Sequence, residues 1–201
     1  EFQYGMRSEG YDGVLKHEPS GGGSVIVPYV IANYTLWIGL LEQERKTQGG
    51  KVLNLPRGYL DPGEEHFETA QREMREETGI EVVRSRIKEL GEWPSNPNSA
   101  DYDTSREGEG VHFYAVEFLA PEEVWGTSYN YVDTYVFRKN AIHPKEGNAV
   151  AERIFSCKFY TWKTAASSPD QFTNAGVARL LEKLTSWDRE KGKTEVEIKI
   201  L

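Results

Sequence analysis

One cysteine, Cys157, stands in 201 residues. That scarcity excludes an intrachain disulfide and suits a reducing compartment such as the cytoplasm, with a buried structural thiol as the plainest role for Cys157. No apolar run approaches the ~20 residues of a membrane-spanning helix, so no membrane span is expected. No signal-peptide pattern precedes the domain; the chain starts at Glu1 rather than Met, and a leader removed before it is an open alternative. Positive charge is also in deficit: 24 Lys and Arg against 32 Asp and Glu leave a formal charge of −8. A broad nucleic-acid surface is therefore excluded, and a phosphate-bearing partner must be met by metal and by local Arg or Lys. What remains is 38% hydrophobic, 28% charged and 12% aromatic, a globular composition long enough for one domain with additions.

The chain divides into an N-terminal arm or strand over 1–23, a main domain over 24–187 and a charged tail over 188–201. The Pro19-Ser20-Gly21-Gly22-Gly23 run reads as a hinge. Val25 to Ala32 and Tyr34 to Leu41 form a predicted hairpin. Further strands are expected over Val52 to Leu55, Val82 to Trp93, Val111 to Leu119, Tyr129 to Arg138 and Ala151 to Thr161, with an edge strand at Val196, Ile198 and Ile200. Val177, Leu180, Leu181 and Leu184 predict a late helix over Asn174 to Trp187, capped by Thr173 or Asn174. Pro94 to Gly110 is a polar loop of unusual length.

The most informative segment is GYLDPGEEHFETAQREMREETGI, Gly58 to Ile80. Thr69 to Thr78 favours helix and stops at Gly79, a good left-handed cap. On that helix Glu73, Glu76 and Glu77 project from one side, and Ala70 and Met74 from a neighbouring apolar stripe. Like charges at this spacing repel, and a hard divalent cation with oxygen ligands is the natural compensation. An acidic string alone is more often a solvated face. The upstream segment reverses that preference: Leu53 to Gly58 reads as a strand entering a tight turn, and Asp61-Pro62-Gly63 as a second turn. Two bends before an acidic helix can wrap a metal–phosphate unit.

Gly58, Glu64, Arg72-Glu73-Met74, Glu76-Glu77 and Gly79-Ile80 occupy every position of G-x5-E-x7-R-E-U-x-E-E-x-G-U, U being aliphatic and Met74 taken as the first U. The chain thus resembles the Nudix hydrolases, which cleave diphosphate linkages attached to a nucleoside with Mg²⁺ or Mn²⁺. The resemblance implies an α/β fold, an α/β/α sandwich with a mixed central sheet, here preceded by the arm. It implies Glu73, Glu76 and Glu77 as metal ligands, joined by the backbone carbonyl at Arg57 or Gly58. Glu73 is the general base in parts of the family. Arg72 would orient a glutamate by a bidentate pair, and Glu64 would be a supporting carboxylate that binds a water or a second metal.

Within the family, the ADP-ribose pyrophosphatase or nucleotide-sugar group is favoured. The chain resembles it in an arm that would help form a homodimer, a Pro-bearing loop at Trp93 to Asn98, and a late loop, Lys145 to Glu152, that would carry the catalytic glutamate. Glu146 is the first candidate for that base and Glu152 the second. Two departures stand against the group: Pro56-Arg57-Gly58 replaces its usual Pro-Ala-Gly, and Asn96 occupies its proline position. A basic Arg57 before the box glycine is more typical of triphosphate or dinucleoside polyphosphate hydrolases, where it would meet an extra phosphate. Trp93 heads the aromatics expected to stack on a base, with Tyr102, Phe113, Trp125, Tyr129 and Tyr131 behind it. His112 is expected to be a packed histidine. A binding module without catalysis is the remaining alternative, but such proteins commonly lose a box carboxylate, and all four are present here.

Overall fold

The computed structural model describes residues 2–8, 11–17, 22–32, 35–45, 50–94, 110–118, 134–136 and 154–190, with side chains described at 22–31, 35–44, 50–91, 110–118 and 154–185. β1 (Phe2–Ser8) and β2 (Tyr11–His17) form an antiparallel two-stranded sheet of their own. The main sheet contains β3 (Gly23–Ala32), β4 (Thr35–Arg45), β5 (Gly50–Asn54), β6 (Arg57–Tyr59), β7 (Ile87–Pro94), β8 (Gly110–Glu117), β9 (Thr134–Val136) and β10 (Ile154–Thr161). Its order is β7-β8-β3-β4-β10-β9, with β5 beside β4 and β6 beside β3. β3 and β8 run parallel and the other pairs antiparallel, so the sheet is mixed.

Period-two alternation builds two cores from the same strands. Val25, Val27 and Tyr29 of β3, Leu36, Ile38 and Leu40 of β4, and Phe113 and Ala115 of β8 face one layer. Ile26, Val30, Trp37, Leu41, Tyr114 and Val116 face the other. Helix α1 (His66–Thr78) covers the second layer with Ala70 and Met74, both fully buried. Helices α2 (Trp162–Ala166) and α3 (Gln171–Glu190) cover the first through Ala165, Phe172, Val177, Leu180 and Leu184. The result is an α/β/α sandwich. Gly176 lets α3 approach closely, since a Cβ there would meet Leu55 and Val27.

One edge of β3 is shared. Its first residues pair with β6 and its last with β4. At the split between them, the Ile26 amide donates to the Pro56 carbonyl at 2.9 Å. Pro28, with no N–H to give, shares Ile26's parity and falls where neither neighbour needs a donor, which reconciles a proline with a central strand.

Three expectations are corrected. The segment entering the box does not turn at Arg57 and Gly58; it forms β6, paired with Gly23 to Val25 of β3, where a Cβ at Gly23 would meet the Gly58 carbonyl. The strand after the box helix starts at Ile87, preceded by a 3-10 turn over Arg84–Arg86. The late helix starts at Gln171, not Asn174, and its cap is Asp170, whose Oδ2 accepts the Thr173 amide at 2.8 Å. α2, capped by the Thr161 hydroxyl accepting from the Thr164 amide, was not foreseen. The expected edge strand at 196–200 lies outside the described residues.

Candidate active site

Strand β6 and helix α1 meet along one line. α1 ends as its sequence dictates, at Gly79 in the left-handed region (φ 74°), whose amide donates to the Arg75 carbonyl at 2.9 Å. Glu73 and Glu77 then face inward, 8% and 4% exposed. Gly58 is the floor under Glu73: a Cβ at position 58 would run into the Glu73 carboxylate. The glycine is therefore required by space.

Arg72 ties the acidic residues together. Its Nε donates to Glu64 Oε1 at 3.0 Å and its Nη2 to Glu64 Oε2 at 2.9 Å, a bidentate pair. Nη2 also reaches the Tyr59 carbonyl at 2.7 Å. Nη1 donates to Glu73 Oε1, and to Glu76 Oε2 at 3.3 Å. Glu64 further accepts from the Asp61 amide at 3.0 Å and the Thr69 hydroxyl at 2.7 Å. Burial alone would push the Glu64 carboxyl up, but the hydrogen bonds from Arg72, Asp61 and Thr69 and the charge of Arg72 outweigh it and hold it down at about 2. The same contact with Glu64 raises Arg72 further above its usual range.

Glu77 is held from the other side. Its Oε2 accepts the Arg57 amide at 2.8 Å. The Arg57 guanidinium turns away, donating to Asp170 Oδ2 at 2.8 Å and lying over the Phe172 ring at 4.8 Å. Beneath the helix Cys157 is buried, and burial, then the charge of Glu77, raises its thiol well above the ordinary value.

Carboxylate oxygens on one face fit a hard divalent cation in kind, and the floor left by Gly58 gives the Glu73 carboxylate its place. Arg72 supplies positive charge to Glu73 and Glu76 in this arrangement, with the Glu76 side chain 42% exposed. Among the described residues no group of three or more His, Cys, Asp or Glu is gathered as a metal cluster.

The structure thus brings Gly58, Glu64, Arg72, Glu73 and Glu76 together, with Glu77 and the Arg57 backbone beside them. The Trp93 side chain, Glu146, Glu152, Tyr102, Trp125, Tyr129 and Tyr131 lie outside the described residues. Phe113 is fully buried in the core. His112 stacks on His66 with ring centroids 3.7 Å apart. Asp170 was not singled out from sequence, although Pro169-Asp170 with Thr173 three residues on is a helix-start pattern that marks it.

A complete box on an α/β/α sandwich defines a class, and comparison with known proteins agrees. The NUDIX domain model matches residues 27–156. The chain belongs to the Nudix family, whose enzymes are pyrophosphohydrolases that generally use divalent metal ions. It is 59% identical over 34 residues to bis(5'-nucleosyl)-tetraphosphatase (asymmetrical) of Mus musculus, 17% of this chain and 23% of that one. It is 33% identical over 86 residues to a methanol dehydrogenase activator of Bacillus methanolicus, 43% of this chain and 42% of that one. The chain therefore matches less than half the length of either curated relative. Among solved structures, the NUDIX domain of Shewanella oneidensis NrtR, complexed with ADP ribose, aligns with a TM-score of 0.51 at 15% identity, covering 84% of this chain and 90% of that one. Among the described residues, no helix is long and apolar enough to cross a membrane.

Proposed function

We propose that this protein hydrolyses a diphosphate linkage in a nucleoside diphosphate derivative, ADP-ribose or a nucleotide sugar, with Mg²⁺ or Mn²⁺. The observation that carries the reading is the pair of buried carboxylates, Glu73 over Gly58 and Glu77 on the Arg57 amide. Together with Glu76, and with Arg72 shared among Glu64, Glu73 and Glu76, they form an oxygen donor set of the kind that hard divalent cations take. Glu73, Glu76 and Glu77, with the Gly58 carbonyl, would hold the metal. When bound, the metal supplies charge neutralisation at the phosphates and polarises water. Arg72 holds Glu73 in place. Glu64 already receives four donors from Asp61, Thr69 and Arg72, which favours support of Arg72 over metal ligation. Glu146, or Glu152 in its place, takes the proton of the attacking water. Arg57 meets a phosphate only through nitrogens not given to Asp170, and Trp93 stacks on the base.

A second reading, cleavage of a dinucleoside polyphosphate, is favoured by the 34-residue match to the mouse tetraphosphatase and by Arg57 before the box glycine. A panel of ADP-ribose, nucleotide sugars, dinucleoside polyphosphates and triphosphates, with product identification, separates the two. Turnover of none of them with either metal would sink both and leave the binding-module reading. The isolated, deeply buried Cys157 supports work in a reducing compartment such as the cytoplasm. The β1–β2 hairpin, too small to be stable alone, supports a homodimer built through it.

A further inference from the structure

We propose that Asp170 and Thr173, at the start of α3, are positioning residues for Glu77, acting through the segment that enters the box. Three residues at the helix start grip that segment at alternate positions. The Ser168 hydroxyl donates to the Leu53 carbonyl at 2.6 Å. The Thr173 hydroxyl accepts the Leu55 amide at 3.1 Å. Asp170 Oδ2 accepts Arg57 Nη1 at 2.8 Å, the Thr173 amide at 2.8 Å and the Thr173 hydroxyl at 2.7 Å. One carboxylate oxygen therefore caps the helix and anchors Arg57 together.

These groups are 2% exposed at Asp170 and wholly buried at Leu55 and Thr173, so water does not substitute for a lost partner. Between the anchored positions Pro56 restricts the backbone, and its carbonyl is taken by Ile26. With Leu55 fixed before it and its own side chain fixed beyond it, the Arg57 amide has one direction, and that direction is the Glu77 carboxylate. Loss of the clamp leaves the Pro56–Arg57 peptide held by β3 alone, so the amide tilts and its bond to the Glu77 carboxylate weakens. The consequence for metal binding rests on the function proposed above.

The test follows the Arg57 amide resonance and Mn²⁺ affinity in the full chain for wild type, Asp170→Asn, Glu77→Gln and the double variant. Asp170→Asn keeps a cap acceptor but discharges the Arg57 partner. It is expected to shift the Arg57 amide in the direction that Glu77→Gln does, and to weaken Mn²⁺ binding roughly tenfold, as for supporting partners of metal ligands. In the Glu77→Gln background it should add nothing, which a general loss of stability would not mimic. Thr173→Val should behave like Asp170→Asn and Thr173→Ser like wild type; this pair decides the matter if Asp170→Asn does not fold. An unchanged Arg57 amide and unchanged Mn²⁺ affinity in both Asp170→Asn and Thr173→Val overturn the proposal. If the wild type binds no Mn²⁺, the proposed function falls, while the amide shift still decides the clamp.

Discussion

The Glu64 carboxylate and the Arg72 guanidinium meet through two near-parallel hydrogen bonds, 3.0 and 2.9 Å long. That geometry, eight residues apart across the turn into α1, fixes both where the loop lands and where Arg72 points.

It also has an acid signature. Glu64 titrates at about 2 in the fold against an ordinary 4.5. A depressed carboxyl stabilises the fold above its unfolded value, and that contribution is lost as pH falls from 4.5 towards 2. In metal-free protein, urea midpoints measured across this window should fall more steeply for wild type than for Glu64→Gln. Equal slopes would show that Glu64 is not the group responsible.

Glu77→Gln preserves size and removes charge. Turnover should drop by about two or more orders of magnitude and metal affinity should weaken, as expected for lost charge stabilisation. Near wild-type turnover at saturating Mg²⁺ removes Glu77 from the ligand set.

Gly58, a fixed position of the box, and Gly63, a free one, have different reasons to be glycine. A methyl at 58 meets the Glu73 carboxylate, whereas Gly63 has open space and a φ of +85°. Gly58→Ala should cost about 1–3 kcal/mol from overpacking and abolish most activity. Gly63→Ala should cost about 1–2 kcal/mol from backbone strain, with kcat of the folded protein largely kept. Thermal melts paired with kinetics check this, and equal kcat losses would contradict it.

For the late loop, Glu146→Gln should lower kcat strongly and leave KM and Mg²⁺ affinity nearly unchanged, since a proton acceptor is lost rather than a binding group. The same pattern in Glu152→Gln alone moves the role to Glu152. Full activity in both leaves Glu73 as the candidate base.

Deletion of residues 1–20 removes the β1–β2 hairpin and should convert a homodimer to a monomer, read as mass by light scattering. A monomeric full-length chain, or an unchanged dimer after deletion, contradicts the arm-mediated assembly.

The box was legible because its spacing is strict and local. Strands β3 and β4 were legible as apolar runs, but the division of their residues into two cores, Val25 and Val27 against Ile26 and Val30, shows only in the packed structure, because both faces are apolar. The Arg57 guanidinium was not legible: its partner Asp170 is 113 residues away and nothing near Arg57 announces it. The start of α3 was misread for another reason. Its apolar periodicity becomes clear only at Val177, while the first turn, Gln171 to Asn174, is held by polar groups. α2 has five residues, too few for a periodic signal. Gly58 was read as a turn glycine, and only the packed structure shows that a carboxylate claims its missing side chain.

The bond between Leu55 and Thr173 has a temporal meaning. The ribosome delivers the Leu55 amide 118 residues before its acceptor. At about 5–20 residues per second the wait is roughly 6–24 s. The acidic helix, the strand that feeds it and much of the sheet all leave the tunnel in that interval without the element that pins them. A nascent chain thus carries the whole box while still lacking its brace, and chains stalled or cleaved before residue 173 would hold every motif residue yet never finish assembling around them.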